Sequence, residues 1–260
     1  MSLADPIQRT TPSHLDGKYA LDREVAATLH VDAPWRRAAI YPAVATIVLG
    51  LVIPLIVIGL DLPRHGDVRA AYGLVGEIVF GAVVFAVARP VVERMGGWMR
   101  AVGLDPPRKG DVGTVVKWFF AQFGARIAVG LVLVTVAPHL HPVGNAAGVD
   151  KLHTTGRLLA LIAAVLVAPV MEEIAFRGLM LRAMMRRLGY WPAAGLSSLV
   201  FALLHAPSVP NVESAIVVVL VIYVFGLLQC QLVRRQVRLA PAAGVHASIN
   251  LVTLVIAVSS

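Results

Sequence analysis

The sequence predicts an all-α fold, a polytopic membrane helical bundle of about seven transmembrane helices with one short interfacial helix. Two observations support this prediction. Of the 260 residues, 58% are hydrophobic and only 15% are charged, whereas soluble proteins carry about 25% charged residues. Apolar segments also recur that are long enough to cross a bilayer core of about 30 Å as helices.

Seven segments meet this length criterion: 38–60, 71–91, 115–137, 157–176, 190–207, 213–232 and 239–258. The first 37 residues are polar and contain no apolar core of a cleavable signal peptide, so residues 1–37 are predicted to be a tail and 38–260 the bundle. Within the tail, Leu21, Val25 and Leu29 recur at helical spacing, which predicts a helix on the membrane surface. Residues 93–111 predict the short interfacial helix, followed by a Pro-Pro break.

The net charge of +8 is explained by membrane topology. Eighteen Lys and Arg residues fall in the tail and in alternate loops, within 1–37, 89–117, 177–187 and 234–238, against four in the intervening loops. This positive-inside pattern predicts a cell-membrane protein with a cytoplasmic amino terminus and an external carboxyl terminus. The basic residues therefore do not indicate a nucleic-acid partner.

Ionisable residues inside the spans are informative, because a charge in the hydrocarbon costs at least about 2.5–3.5 kcal/mol. Glu77 and Arg126 lie at middle depths of the second and third spans, and a structural ion pair between them is predicted. The single cysteine, Cys230, excludes an internal disulfide and is expected to pack between helices.

The stretch "MEEIAFRG", residues 171–178, places two carboxylates and an arginine at the end of an apolar run. Residues four apart share a helix face, whereas neighbours point about 100° apart. Glu173 is therefore predicted to pair with Arg177, which leaves Glu172 without a local partner. A buried carboxylate of this kind is a candidate general base if a polar cavity reaches it. Pro169 is expected to disturb the helix one turn earlier.

Two further spans carry polar residues at helical spacing. "FALLH" places His205 four residues after Phe201, and "HASIN" places Asn250 four residues after His246. Counted at about 1.5 Å per residue from the basic loops, these groups and Glu172 fall at similar depths. One shared, water-accessible cavity is less costly than four separate buried sites.

"EEIAFR", "FALLH" and "HASIN" resemble, in the same order, the EExxxR, FxxxH and HxxxN/B motifs of the CPBP family of intramembrane proteases, which includes the CAAX prenyl endopeptidases. The run 226–250 is also similar to that family's path into its last motif, and the resemblance covers about residues 157–252. It implies an intramembrane endopeptidase. Glu172 and His205 would activate a water, His246 and Asn250 would stabilise the oxyanion, and Glu173 and Arg177 would support them.

Other chemistries remain open. Ser197, Ser198 and Ser248 are weak candidate nucleophiles because no helical spacing pairs them with a base. A Zn²⁺ site built from Glu172, His205 and His246 would make the protein a metalloendopeptidase, but the metal-free glutamate-type mechanism is favoured because Asn250 is a poor zinc ligand and a good amide donor. An outer set of histidines is interpreted as a solvated loop; it comprises His139, His141 and His153.

The partners expected from these residues are the lipid bilayer and a peptide or membrane-protein substrate, with or without a lipid modification. The Ala-, Val-, Arg- and Gly-rich composition looks bacterial, so a prenylated substrate is not required. The alternative function is a non-catalytic membrane scaffold or a bacteriocin-immunity-type protein on the same fold. A transporter is disfavoured because neither inverted repeats nor paired broken helices are apparent.

Overall fold

The computed structural model describes residues 20–27, 66–138 and 148–259, together with the single positions 44, 48, 52, 144 and 146. In this part of the chain all regular structure is helical. The helices are α1 (Ala20–Ala27), α2 (Gly66–Arg94), α3 (Trp98–Val102), α4 (Asp111–Val136), α5 (Thr154–Leu188), α6 (Tyr190–Leu203), α7 (Val212–Gln236) and α8 (Ala240–Ser259). The predicted all-α bundle is confirmed, and the protein is a multi-pass membrane protein.

Five of these helices, α2, α4, α5, α7 and α8, are long and apolar enough to cross a membrane. The predicted first span, 38–60, lies outside the described residues except at positions 44, 48 and 52. The predicted fifth span, 190–207, is wrong in its length, because α6 has only 14 residues and covers about 21 Å. Its end at Leu203 comes shortly before Pro207, and a proline cannot continue the hydrogen-bonding pattern of a helix.

Helix α5 changes its winding twice along its length. Its α-helical parts are separated by two π-helical segments, Ile162–Val167 and Ile174–Leu181. Pro169 lies just after the first segment. Because proline lacks an N–H and crowds the carbonyl four residues earlier, the wider turn relieves that contact with Val165. The expected disturbance by Pro169 therefore takes the form of a π-helical segment that leads to Glu172 and Glu173.

Helix α1 packs on the protein, which corrects the prediction that it rests on the membrane surface. Leu21 and Val25 are buried in the core. Asp22 accepts hydrogen bonds from Arg234 at the end of α7, and Arg182 of α5 donates to Glu24 at 2.5 Å. The apolar side of an amphipathic helix can be buried by lipid or by protein. Here Asp22 and Glu24, which lie between the apolar residues, bind arginines at the basic end of the bundle.

The basic loops meet at the same end of the bundle as α1. Arg238, just before α8, donates to Asp111 at the start of α4, at 2.7 Å, and the Leu239 amide donates to the Gly103 carbonyl at 2.9 Å. At the opposite end, the His153 amide donates to Asp67 at 2.9 Å. The structure thus brings α1 to the same end as the described loops that hold most of the basic residues.

The short helix α3 confirms the helix predicted within 93–111, but its last residues are buried and not only interfacial. Ala101 and Val102 belong to the core. Gly103 ends the helix with a φ of +74°, a left-handed conformation that favours glycine. A Cβ at this position would overlap the Val237 carbonyl oxygen and lie 2.7 Å from Arg182 Nη2.

Gly103→Ala is therefore expected to lower the unfolding free energy by at least about 1–2 kcal/mol, the cost of a left-handed residue with a Cβ. The measurement is thermal unfolding of the detergent-solubilised protein. Gly113→Ala in α4 is the matched control, because its added Cβ would meet no atom within 4 Å. Equal unfolding temperatures for the two variants would contradict this account of the turn.

Candidate active site

A cavity of about 310 Å³ lies between the membrane helices. Its walls come from α2, α4, α5, α6, α7 and α8, from the turn that follows α6, and from Ala146 and Val149 before α5. The predicted residues Glu172, His205, His246 and Asn250 all line it. The four side chains were expected to meet because they lie at similar depths in the membrane, and the structure places them around one cavity.

His246 lies between the two neighbouring glutamates. Its Nδ1 is 3.0 Å from Glu173 Oε1, and its Nε2 is 3.5 Å from Glu172 Oε2. A neutral imidazole carries one N–H and one acceptor nitrogen, and a proton on Nδ1 would be donated to Glu173. Glu172 is not paired with Arg177 in its own helix, as expected, and α8 supplies His246 as its neighbour.

The predicted Glu173–Arg177 ion pair is confirmed. Arg177 Nη1 lies 3.2 Å from Glu173 Oε1, and both side chains are fully buried. The guanidinium also lies over the Phe201 ring, 4.5 Å from its centroid, which is a favourable cation–π arrangement. Glu173 thus faces a cation on one side and His246 on the other, which holds the imidazole against the cavity wall.

His205 lies in the turn just after α6, so the expectation that it shares a continuous helix face with Phe201 is corrected. The two residues are nevertheless in contact: the His205 Nδ1 is 2.8 Å from the Phe201 carbonyl oxygen, and the rings meet edge to face at 4.8 Å. Because a carbonyl only accepts, the Nδ1 carries the proton in this contact. The Nε2 is then the nitrogen left to act as a base or to bind water.

Asn250 of α8 connects its own helix to α5 across the cavity. Its Nδ2 donates to the Ala164 carbonyl at 2.7 Å, and Ala164 lies within the first π-helical segment of α5. The side chain is partly buried and lines the cavity. An amide has two N–H donors, so one further N–H is left for a ligand.

The predicted ion pair between Glu77 and Arg126 is wrong. Arg126 donates instead to the Thr253 hydroxyl at 3.3 Å, and Glu77 Oε2 has no hydrogen-bond partner among the described residues. Both side chains line the cavity. Two spans with opposite charges at one depth can turn those charges toward each other or toward a common space, and the sequence does not distinguish these arrangements.

Two buried glutamines extend the site, and the sequence analysis missed them. Gln229 Nε2 donates to the Ala242 carbonyl at 2.9 Å and approaches Glu173 Oε1 at 3.4 Å. Gln122 Nε2 donates to Gln229 Oε1 at 3.2 Å. Uncharged amides within predicted spans are also costly to bury without partners, so a search for polar as well as ionisable residues would have found them.

Gln229→Leu is expected to destabilise the fold by about 1–3 kcal/mol, because it leaves the Gln122 amide and the Ala242 carbonyl without their partner. Gln122→Leu is expected to cost less. In the double variant the loss should be smaller than the sum of the two, since the second change then removes a group that has already lost its partner. Thermal unfolding of the two single variants and the double variant measures these losses, and Gln236→Leu at the end of α7 is the control. Losses that simply add in the double variant would contradict the contact between Gln122 and Gln229.

The remaining polar candidates are occupied by local contacts. Ser197 donates to the Phe176 carbonyl at 3.2 Å, and Ser248 to the Gly244 carbonyl at 2.8 Å. Ser198 contacts Cys230 at 3.7 Å. The expectation that Cys230 packs between helices is confirmed, since it is fully buried. Hydroxyls bonded to carbonyl oxygens offer no activated nucleophile.

The alternative metal site is not assembled in the described part of the chain, where no three His, Cys, Asp or Glu side chains are grouped as metal ligands. Of the outer histidines, His139 and His141 lie outside the described residues. The His153 side chain is exposed, and its Nδ1 is 3.3 Å from Asp67.

Comparison with known proteins agrees with the motifs. Residues 154–252 match a protein-family model described as Rce1-like, type II CAAX prenyl endopeptidase Rce1-like. Neither the comparison with curated proteins nor the comparison with solved structures found a match. The matched segment includes α5 to most of α8, and with them every predicted site residue. The resemblance to the CPBP family is thus confirmed over residues 154–252 of this membrane protein, the segment that matches the model of the Rce1-like CAAX prenyl endopeptidases.

Proposed function

We propose that the protein is an intramembrane endopeptidase that hydrolyses a peptide bond near the bilayer with a water activated by Glu172 and His205. The observation that carries the proposal is the single cavity lined by Glu172, His205, His246 and Asn250. Three of these come from membrane helices and the fourth from the turn after α6. The protease family of residues 154–252 supports the same reaction class.

In the proposed reaction, Glu172 accepts a proton from water as the oxygen attacks the carbonyl carbon of the peptide bond. The carbonyl π electrons move to oxygen, and the resulting oxyanion accepts hydrogen bonds from the free N–H of Asn250 and from a protonated His246. The C–N bond then breaks as the proton held by Glu172 passes to the leaving amine, either directly or through His205 Nε2. Neither serine nor cysteine is needed as a nucleophile.

The buried Glu173–Arg177 pair supports the assignment of Glu172, rather than Glu173, as the base for water. Glu173 is bound by Arg177 and lies 3.0 Å from His246 Nδ1, so it is placed to orient the imidazole beside Glu172. Glu172, the more exposed of the two carboxylates at 13% against 0%, is the one that reaches the cavity. A base for water must have access to water, and a carboxylate that orients a histidine need not.

The substrate proposed for this site is a peptide or a membrane-protein segment, with or without a lipid modification, that enters from the bilayer or its surface. We place the amino terminus in the cytoplasm and the carboxyl terminus outside. This orientation rests on the basic residues that meet at the end of the bundle where α1 packs and on the positive-inside rule.

The direct test is membrane proteomics of cells that carry the wild-type protein or Glu172→Ala. A peptide released only by the wild type is expected, while Glu93→Ala, which removes an exposed carboxylate paired with Arg89, should behave as the wild type. A folded Glu172→Ala protein that releases the same peptides would overturn the proposal. If it also preserves the cellular phenotype, the result would favour the scaffold or immunity-type function.

The mechanism is proposed to be metal-free, which chelation tests separately. Purified protein incubated with a chelator and then dialysed is expected to keep its full rate of peptide hydrolysis, because a carboxylate and an imidazole supply the base and acid. Added Zn²⁺ should not raise the rate. Loss of activity that zinc restores would instead establish the metalloendopeptidase alternative, with Glu172, His205 and His246 as ligands after a rearrangement.

A further inference from the structure

Arg126 of α4 differs from the four buried arginines of the described residues. Each of those four contacts a carboxylate, in the pairs Arg177–Glu173, Arg182–Glu24, Arg234–Asp22 and Arg238–Asp111. Arg126 has none within ion-pair distance among the described residues. Its hydrogen bond is to the Thr253 hydroxyl at 3.3 Å, and that hydroxyl donates in turn to the Ile249 carbonyl.

The position of Arg126 makes this arrangement costly. It lies inside the candidate membrane span Asp111–Val136, where an arginine costs at least about 2.5–3.5 kcal/mol. A guanidinium has five N–H donors, and one neutral hydroxyl satisfies little of that capacity. The side chain lines the same cavity as Glu172 and His246, so its unused donors can reach a ligand there.

Helix α8 defines where Arg126 lies relative to the proposed hydrolytic groups. His246, Asn250 and Thr253 follow one another at spacings of four and three residues and so share one helix face. Thr253 is seven residues beyond His246, about 10 Å along the helix axis. Arg126, bonded to Thr253, is therefore at the far end of the cavity from the His246–Glu172 contact.

The carboxylate of Glu172 lies on the His246 side of the cavity, away from Arg126, with its Oε2 3.5 Å from His246 Nε2. An acidic group on a bound molecule would be repelled from Glu172 and attracted to Arg126. The charge separation would therefore orient a peptide along the cavity and place its uncharged bond beside the hydrolytic groups.

We propose that Arg126 forms a substrate-binding subsite for a carboxylate of the peptide, a few residues away from the bond that is cleaved. The carboxylate could belong to an acidic side chain or to the chain terminus, since both offer two oxygens to a guanidinium in the same geometry. This inference rests on the proposed function for the identity of the bound molecule. Arg126 lies outside the segment that matches the protease family.

The experiment measures binding, which does not require hydrolysis. Four proteins are purified in detergent: the wild type, Glu172→Gln, Arg126→Gln and Arg126→Lys. Their unfolding temperatures are measured at increasing concentrations of three peptides. These are N-acetyl-trileucine, its carboxamide, and a carboxamide in which one leucine is replaced by aspartic acid. Arg69→Gln is the matched control, because Arg69 is exposed and lies outside the cavity wall. Phosphatidic acid vesicles serve as the lipid-phosphate arm.

The two carboxylate-bearing peptides, or one of them, are expected to stabilise the wild type, Glu172→Gln and Arg69→Gln more than the neutral carboxamide does. Arg126→Gln should weaken binding about tenfold or more, the equivalent of a charged hydrogen bond of at least about 1.4 kcal/mol, and Arg126→Lys should recover part of it. Which peptide acts identifies the terminal or side-chain source.

Equal stabilisation by acid and neutral peptides, no stabilisation by any peptide, or undiminished binding to Arg126→Gln would overturn the proposal. So would stabilisation by phosphatidic acid alone, which would assign Arg126 to a lipid headgroup. Because Glu172→Gln is tested for binding, a protein that binds the acid peptide but hydrolyses nothing would retain the subsite and contradict only the proposed reaction.

Discussion

Arg177→Met is expected to lower the unfolding free energy by about 3–5 kcal/mol, the usual loss when one partner of a buried ion pair is removed. Methionine nearly fills the space of the arginine stem, so the loss comes mainly from Glu173, which is fully buried. It would keep only His246 and the longer contact to Gln229 as partners. Thermal unfolding in detergent and the yield of folded protein measure the effect.

A second variant separates the charge from the packing. Glu173→Gln combined with Arg177→Met should be less damaging than Arg177→Met alone, because no uncompensated carboxylate remains. Arg187→Met, at the exposed end of the same helix, should change stability little. If the double variant is as unstable as the sum of its single changes, the pairing does not explain why Arg177 is needed.

Glu172→Gln and His205→Gln are each expected to lower kcat for peptide hydrolysis by about 10²–10⁴, the range typical of general acid–base groups. Glutamine is close in shape to the glutamate but cannot take a proton from water. The measurement is turnover of the peptide identified by proteomics, with Glu93→Gln as the control for loss of a carboxylate elsewhere. Unfolding temperatures should remain near that of the wild type, since both side chains are only partly buried.

The reductions in kcat caused by Glu172→Gln and His205→Gln should not multiply in the double variant. If both side chains act on the same water, removal of the first already disables the step, and the double variant should be about as slow as the slower single variant. A double variant slower by the full product of the two effects would mean that Glu172 and His205 act in separate steps. Full activity of Glu172→Gln would remove the glutamate from the reaction.

The sequence predicted best what depends on a single regular helix. His246 and Asn250 lie four apart in α8, which is helical throughout, and both reach the cavity as expected. The Glu173–Arg177 contact was also accessible from spacing alone. The family motifs reinforced these predictions, since they mark the same residues within the matched segment.

The sequence predicted less where neighbouring helices decide the outcome. The spacing of Glu77 and Arg126 indicates depth but not the rotation of either helix, so their pairing could not be derived. Leu21 and Val25 form an apolar stripe that lipid or protein can cover, and only the contacts Asp22–Arg234 and Glu24–Arg182 show that protein covers it. The early end of α6 follows from Pro207, but hydropathy extends across it because the residues that follow are also largely apolar.

The two π-helical segments of α5 have a consequence for changes in chain length. Each residue of a regular helix turns the chain by about 100°, so one deletion between Ala163 and Glu172 would swing both glutamates to a different side of the bundle. Insertions and deletions that an ordinary lipid-facing helix tolerates should therefore be excluded from this stretch. Homologous chains aligned over it would differ by substitution and hardly ever by length.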